Sequence, residues 1–156
     1  MEIIPGRQRA RTDKPLALFL IGMRIHKLLG VGGWGPLATA MPRMLKELEA
    51  RPDAGLLWYR NYWSGRNFLV VQYWQSMEKL FAYAHARDGE HFPAWAAFNR
   101  RAKANKAVGI WHETYVIDPA TAENIYSNMP RFGLGAVATL EPARGKMGGL
   151  RDPFAG

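Results

Sequence analysis

The spacing of apolar positions changes several times along the chain, and each change marks an element. Leu16 to His26, LALFLIGMRIH, is apolar on both alternating faces, as a central strand covered on both sides requires. Gly30, Gly32 and Gly33 break that run, and Pro36 suits the first turn of a helix. Leu37, Met41, Met44, Leu45 and Leu48 then recur at spacings of three and four, giving one helical stripe to about Arg51, with Pro42 expected to kink or divide it. Pro52-Asp53-Ala54-Gly55 reads as a turn. LLWYRNYW and NFLVVQYW, flanking Ser64 to Asn67, read as a hairpin. With an even loop, facing residues have numbers that sum to 131. Ser76 can cap a helix carrying Met77, Leu80, Phe81 and Ala84, with Glu78 near its positive end. A further helix from about His91 carries Trp95 and Phe98 inward. Val108 to Ile117 is again strand-like, and Phe132 to Leu140 suits a short last strand or strap.

The resulting order is strand, helix, strand, strand, helix, strand. This is the split βαβ, ferredoxin-like pattern, so the predicted fold class is α+β with an antiparallel sheet. Two helices cover one face of such a sheet. Several strands here are apolar or aromatic on both faces, so the second face also needs a cover. A homodimer packed sheet against sheet, a dimeric α+β barrel, would supply it. The expected boundaries are an extended or mobile arm over 1–15, the domain over 16–140 and a loose tail over 141–156.

Composition narrows the function. With 156 residues, 48% of them hydrophobic, there is material for one substantial core. There are no cysteines, which excludes disulfides, thiolate nucleophiles and cysteine-containing zinc sites. The four histidines have no paired spacing that would suggest a metal site. The formal charge of +8 invites a nucleic-acid reading. Its cations, however, lie in the two tails and scattered over helix faces, apart from the run Arg100, Arg101, Lys103 and Lys106, and this argues against nucleic acid as the main partner. Leu16 to Met23 is too short to span a bilayer and no leader pattern begins the chain, so the expectation is an untargeted cytoplasmic protein. The glycine-rich loop lacks a dinucleotide or phosphate fingerprint, and no Gly-x-Ser-x-Gly elbow is present.

Four segments carry a family likeness: YWQSMEKLFAYA at 73–84, EHFPAW at 90–95, GIWHETY at 109–115 and ENIYSNMP at 123–130. Together they resemble the monooxygenase-like family of the dimeric α+β barrel, antibiotic-biosynthesis monooxygenase superfamily. That family was formerly a domain of unknown function and includes a fumagillin-pathway member. The resemblance covers roughly Leu16 to Leu140. It implies a ferredoxin-like dimer and oxygenation of a hydrophobic or polyketide-like small molecule. Some relatives in this superfamily achieve this without metal or flavin; others bind haem, degrade it or dehydrate aldoximes. The expectation is therefore no cofactor, with haem as the alternative and a non-enzymatic module for hydrophobic ligands as a third reading.

The candidate catalytic residues are His112, Glu113, Tyr126 and Asn128, and the candidate substrate-binding residues are Trp74, His91, Trp95, Trp111, Tyr115 and Met129. A histidine exchanges a proton near neutral pH, which abstraction from a phenol or enol requires. Strand alternation puts His112 with Ile110 and Thr114 and puts Glu113 with Trp111 and Tyr115, so the adjacent pair cannot act as one acid-base unit. Either face could line a cavity. His112 is a base or a hydrogen-bonded structural histidine, and Glu113 is a catalytic acid or the partner of a cation such as Arg24 or Arg60. Tyr126 and Asn128 either orient a substrate oxygen or lock a loop. His91 is a helix cap, an exposed residue or, with His112, a possible haem ligand.

Overall fold

Leu16–Ile25 (β2) lies at the heart of an antiparallel sheet because its apolar side chains can be buried on both faces. Leu56–Ser64 (β3), Asn67–Trp74 (β4) and Val108–Ile117 (β5) complete that sheet in the order β3-β4-β2-β5. The computed structural model describes residues 2–27, 41–86 and 106–143. Within these, a helix over residues 41–49 (α1) precedes β3, and Met77–His85 (α2) follows β4. The strand order is that of the expected ferredoxin-like α+β fold. No helix among the described residues is long and apolar enough to cross a membrane.

The hairpin register follows from its two-residue loop. Ser64 pairs with Asn67, Trp63 with Phe68 and Trp58 with Tyr73, as an even loop predicts, and the register shifts only between Leu56 and Trp58. Ala17, Ile21, Met23 and Ile25 share one face of the sheet with Val70, Gln72 and Trp74. The helices pack on this inner face: Ala17 and Trp74 form one cluster with Leu48 of α1 and Leu80 of α2. Trp74 is 1% exposed. Burying each such side chain contributes roughly 1.5–3 kcal/mol. Helix α2 begins where Ser76 accepts a hydrogen bond from the Lys79 backbone N–H, an N-cap of about 1 kcal/mol.

The N-terminal segment is extended and tied down by strand pairing. Ile4–Arg11 (β1) is the middle strand of a second, three-stranded sheet, between Tyr126–Met129 (β6) and Thr139–Pro142 (β7). The expected strap resolves into a single helical turn, Leu134–Val137 (α3), and then β7. Ala10, Leu16 and Leu134 form the buried cluster that joins this smaller sheet to the outer face of the larger one, with Tyr73 and Tyr126 packed around it.

Candidate active site

β5 is an edge strand, so its alternate side chains project from the two faces of the large sheet without a further strand beside them. His112 lies opposite Ile21, which puts it on the inner, helix-side face. Its ring sits 5.8 Å from that of Phe19, the two planes tilted by 47°. Ile110 and Thr114 flank it on the same strand face. His112 is exposed among the described residues, and it is the one imidazole they place on this face.

Further in, Trp74 is the floor of the helix-side core. Its indole N–H donates to Gln72 Oε1 at 2.8 Å, and its ring lies 5.6 Å from that of Tyr83. Gln72 is 4% exposed, the buried polar side chain of a strand otherwise apolar or aromatic beyond its first residue. Sequence analysis gave it no role. The signal was the amide interrupting the apolar and aromatic run FLVVQYW.

Trp111, Glu113 and Tyr115 occupy the opposite, outer face. The Trp111 indole lies flat over Gly22, where an added Cβ would meet it at 2.4 Å, so this packing needs glycine. Glu113 Oε2 accepts the Tyr115 hydroxyl at 2.7 Å. That bond, then desolvation and the carboxylate's charge, raise the tyrosine's pKa above its ordinary value. No ion pair joins Glu113 to Arg24 or Arg60 among the described residues; Arg24 donates to Asn67, and Arg60 lies over the Phe132 ring.

Tyr126, Asn128 and Met129 lie in β6, away from the helix-side face. The Tyr126 hydroxyl accepts the Gly135 backbone N–H at 3.0 Å, and burial raises its pKa, offset in part by that bond. Tyr73 also lies against this turn. Burial, followed by the neighbouring Tyr126, raises its pKa, while a hydrogen bond from the Leu134 backbone lowers it. Asn128 has a positive φ of 51° and accepts the Gly6 N–H at 2.9 Å, which locks β6 to β1. Met129 pairs with Ile4. Asn124, which sequence reading passed over, makes a second lock: its Oδ1 accepts the Ala10 N–H at 2.6 Å and its Nδ2 donates to the Ala10 carbonyl at 3.0 Å.

The described candidates therefore divide into three places: His112 and Trp74 inside, Trp111, Glu113 and Tyr115 outside, and Tyr126, Asn128 and Met129 in the small sheet. His91 and Trp95 lie outside the described residues. Two open grooves of about 480 and 280 Å³ include none of these candidates; one lies beside Arg11 and Arg131, the other beside Leu48 and Tyr59. Among the described residues, no three His, Asp or Glu side chains are grouped to hold a metal ion. Haem, by contrast, requires of a protein only a single axial ligand.

A family model described as Monooxygenase af470-like matches residues 16–134. Monooxygenase af470 of Aspergillus fumigatus is 25% identical over 146 residues, covering 85% of this chain and 51% of its own length. This chain thus spans about half the length of the curated relative it matches. Among solved structures, aldoxime dehydratase OxdRE in complex with butyraldoxime superposes with a TM-score of 0.70 at 18% identity, covering 88% of this chain and 43% of the dehydratase. SnoaB, a cofactor-independent oxygenase from Streptomyces nogalater, gives a TM-score of 0.49 at 8% identity, over 67% of this chain and 95% of SnoaB.

Proposed function

The chain belongs to the Monooxygenase af470-like family, and from that premise we propose that it is a small oxygenase. Its substrate is a hydrophobic, enolisable or phenolic molecule, and it uses neither flavin nor metal. The observation that carries this reading is the position of His112. Its imidazole stands on the apolar, helix-side face against Phe19, away from the carboxylate next to it in sequence. In this role His112 takes a proton from an acidic C–H or O–H of the substrate. The resulting carbanion or phenolate passes its electrons to dioxygen; one oxygen atom stays on the carbon and the other leaves as water with the two hydrogens removed. The imidazolium left on His112 beside the anion stabilises its negative charge until dioxygen reacts.

Glu113, Tyr126 and Asn128 fit structural roles better, because their polar atoms are engaged with Tyr115, Gly135 and Gly6. We further propose a homodimer in which the outer sheet faces meet.

Oxygen uptake with a panel of enolisable polyketides and phenols tests the reading. His112→Ala is expected to lose about 10²–10⁴-fold in turnover with its circular dichroism and melting unchanged. Unchanged turnover would remove His112 from the reaction. Titration with haemin is expected to give no stoichiometric Soret band. A band that disappears in His112→Ala would replace this reading with a haem-dependent one.

A further inference from the structure

The two ends of the large sheet differ in charge. Where β3 begins and β4 and β5 finish, anions and cations are mixed and joined: Arg51 pairs with Glu47 at 3.5 Å, and Lys79 Nζ donates to the Asp53 carbonyl at 2.8 Å. Glu78 opens α2 there and Asp118 follows β5. The other end is built from residues 24–27 at the finish of β2, the hairpin turn at Gly65 and Arg66, and Lys106 ahead of β5. Strand pairing gathers them: Arg24 lies opposite Asn67 on one side and Gly109 on the other, the Ile25 N–H donates to the Arg66 carbonyl at 2.9 Å, and the His26 N–H donates to the Ala107 carbonyl at 2.8 Å.

Arg24, Lys27, Arg66 and Lys106 are all exposed on this end. The stretches 16–27, 56–75 and 106–112 contain no carboxylate, and the first acid along β5 is Glu113, about 14 Å inward of Gly109. Two of the cations reach neutral acceptors, Arg24 donating to Asn67 Oδ1 at 3.0 Å and Arg66 to the His26 carbonyl at 3.3 Å. Among the described residues, no ion pair involves any of the four. Their charge is therefore left for something outside the chain.

Trp63 projects beside them at the tip of the hairpin. It is 60% exposed, the most exposed aromatic side chain among the described residues. The ring is nonetheless held: it lies edge-on to Phe68 with centroids 5.9 Å apart, and Phe68 packs on the buried cluster of Met23, Ile25 and Val108. The small sheet is seated towards the opposite end, through Leu16, Tyr73 and Ile117. A supported indole ringed by unneutralised cations, spread over about three strand spacings or 14 Å, matches a negatively charged lipid surface. Clustered Lys and Arg are drawn to anionic headgroups, and an amphipathic indole settles at headgroup level. A nucleic-acid strand would instead call for cations strung along a groove to follow successive phosphates, and here they are gathered at a blunt end closed by a two-residue turn.

We propose that this end of the large sheet docks the protein on an anionic lipid surface, with Trp63 entering the headgroup layer and Arg24, Lys27, Arg66 and Lys106 facing the lipid phosphates. The docking does not depend on the chemistry at His112.

Cosedimentation of the full chain with vesicles of phosphatidylcholine alone, and of phosphatidylcholine mixed with phosphatidylglycerol, tests this. Binding is expected to the mixed vesicles only and should weaken as salt is raised. Lys27→Ala/Arg66→Ala should lose about 25-fold in affinity, at roughly five-fold per cation. Trp63→Ala should lose about ten-fold and the blue shift of tryptophan emission that the vesicles induce. Arg11→Ala/Lys14→Ala, which removes two cations ahead of β2 at the opposite end, should bind as the wild type does. All three variants change exposed side chains, and their circular dichroism should match the wild type. A wild-type chain that ignores the mixed vesicles, or a loss in Arg11→Ala/Lys14→Ala as large as in Lys27→Ala/Arg66→Ala, overturns the docking end. A chain that passes the vesicles by yet binds oligouridine through Lys27 and Arg66 overturns it in favour of nucleic acid.

Discussion

In the four-stranded sheet, Ala17 and Val70 lose all contact with solvent and Trp74 nearly all; in the three-stranded sheet, the one buried side chain of β1 is Ala10. The larger sheet is held by apolar burial spread over three strands and two helices. The smaller one is held at points, by Asn124 on Ala10, Asn128 on Gly6 and the exposed Arg9–Glu141 ion pair at 2.6 Å. Burial is cooperative, because removing one side chain loosens all its neighbours. Point locks fail one at a time. The first sheet should therefore unfold with the whole molecule, and the second should open on its own at lower cost.

The comparison breaks most severely if its apolar side is attacked. Trp74→Ala removes the largest fully buried side chain among the described residues and is expected to cost about 3–5 kcal/mol, read as a large drop in the urea midpoint by both fluorescence and circular dichroism. Asn124→Ala strips two hydrogen bonds from the Ala10 backbone and is expected to cost about 1–3 kcal/mol. Hydrogen exchange should show faster exchange over β1, β6 and β7 with protection in β2 and β4 retained; uniform loss across both sheets would mean that they form one cooperative unit.

The smallest effect concerns the seam between the sheets, where burial raises the pKa values of Tyr73 and Tyr126. Below pH 10.0, the ordinary tyrosine value, both states are protonated and these groups leave stability unchanged with pH. Above it the unfolded chain ionises first, so stability falls as pH rises towards the folded-state values. Tyr73→Phe is expected to make that alkaline decline shallower, measured as urea midpoint against pH. An unaltered slope would remove Tyr73 from the linkage.

The same contrast explains what could be read in advance. Apolar periodicity and the Ser64–Asn67 turn fix strand faces by a parity argument, so the hairpin register and the separation of His112 from Glu113 were legible. Which face the helices cover was open, because β5 is rich in apolar or aromatic side chains on both sides. β1 escaped notice because IPGRQRAR has a proline, a glycine and no apolar alternation; its pairing depends on Asn124 and Asn128, more than a hundred residues away. Tyr126 and Asn128 carried a recognisable motif, and the structure ties that motif to holding the small sheet. Gln72 shows the opposite failure, a buried polar group whose partner, Trp74, is two residues along the same strand.

The position of β1 has a consequence for synthesis. β1, the middle strand of its sheet, leaves the ribosome long before either of its neighbours, and Arg9 must wait for Glu141, 132 residues later, before its edge is filled. Until then β1 presents two unpaired edges to every other nascent chain. Its three arginines at positions 7, 9 and 11 are the kind of charge that keeps such edges from pairing with one another. The basic character that first suggested a polyanionic partner thus gives β1 a way to stay apart from its own copies until β6 and β7 have been made.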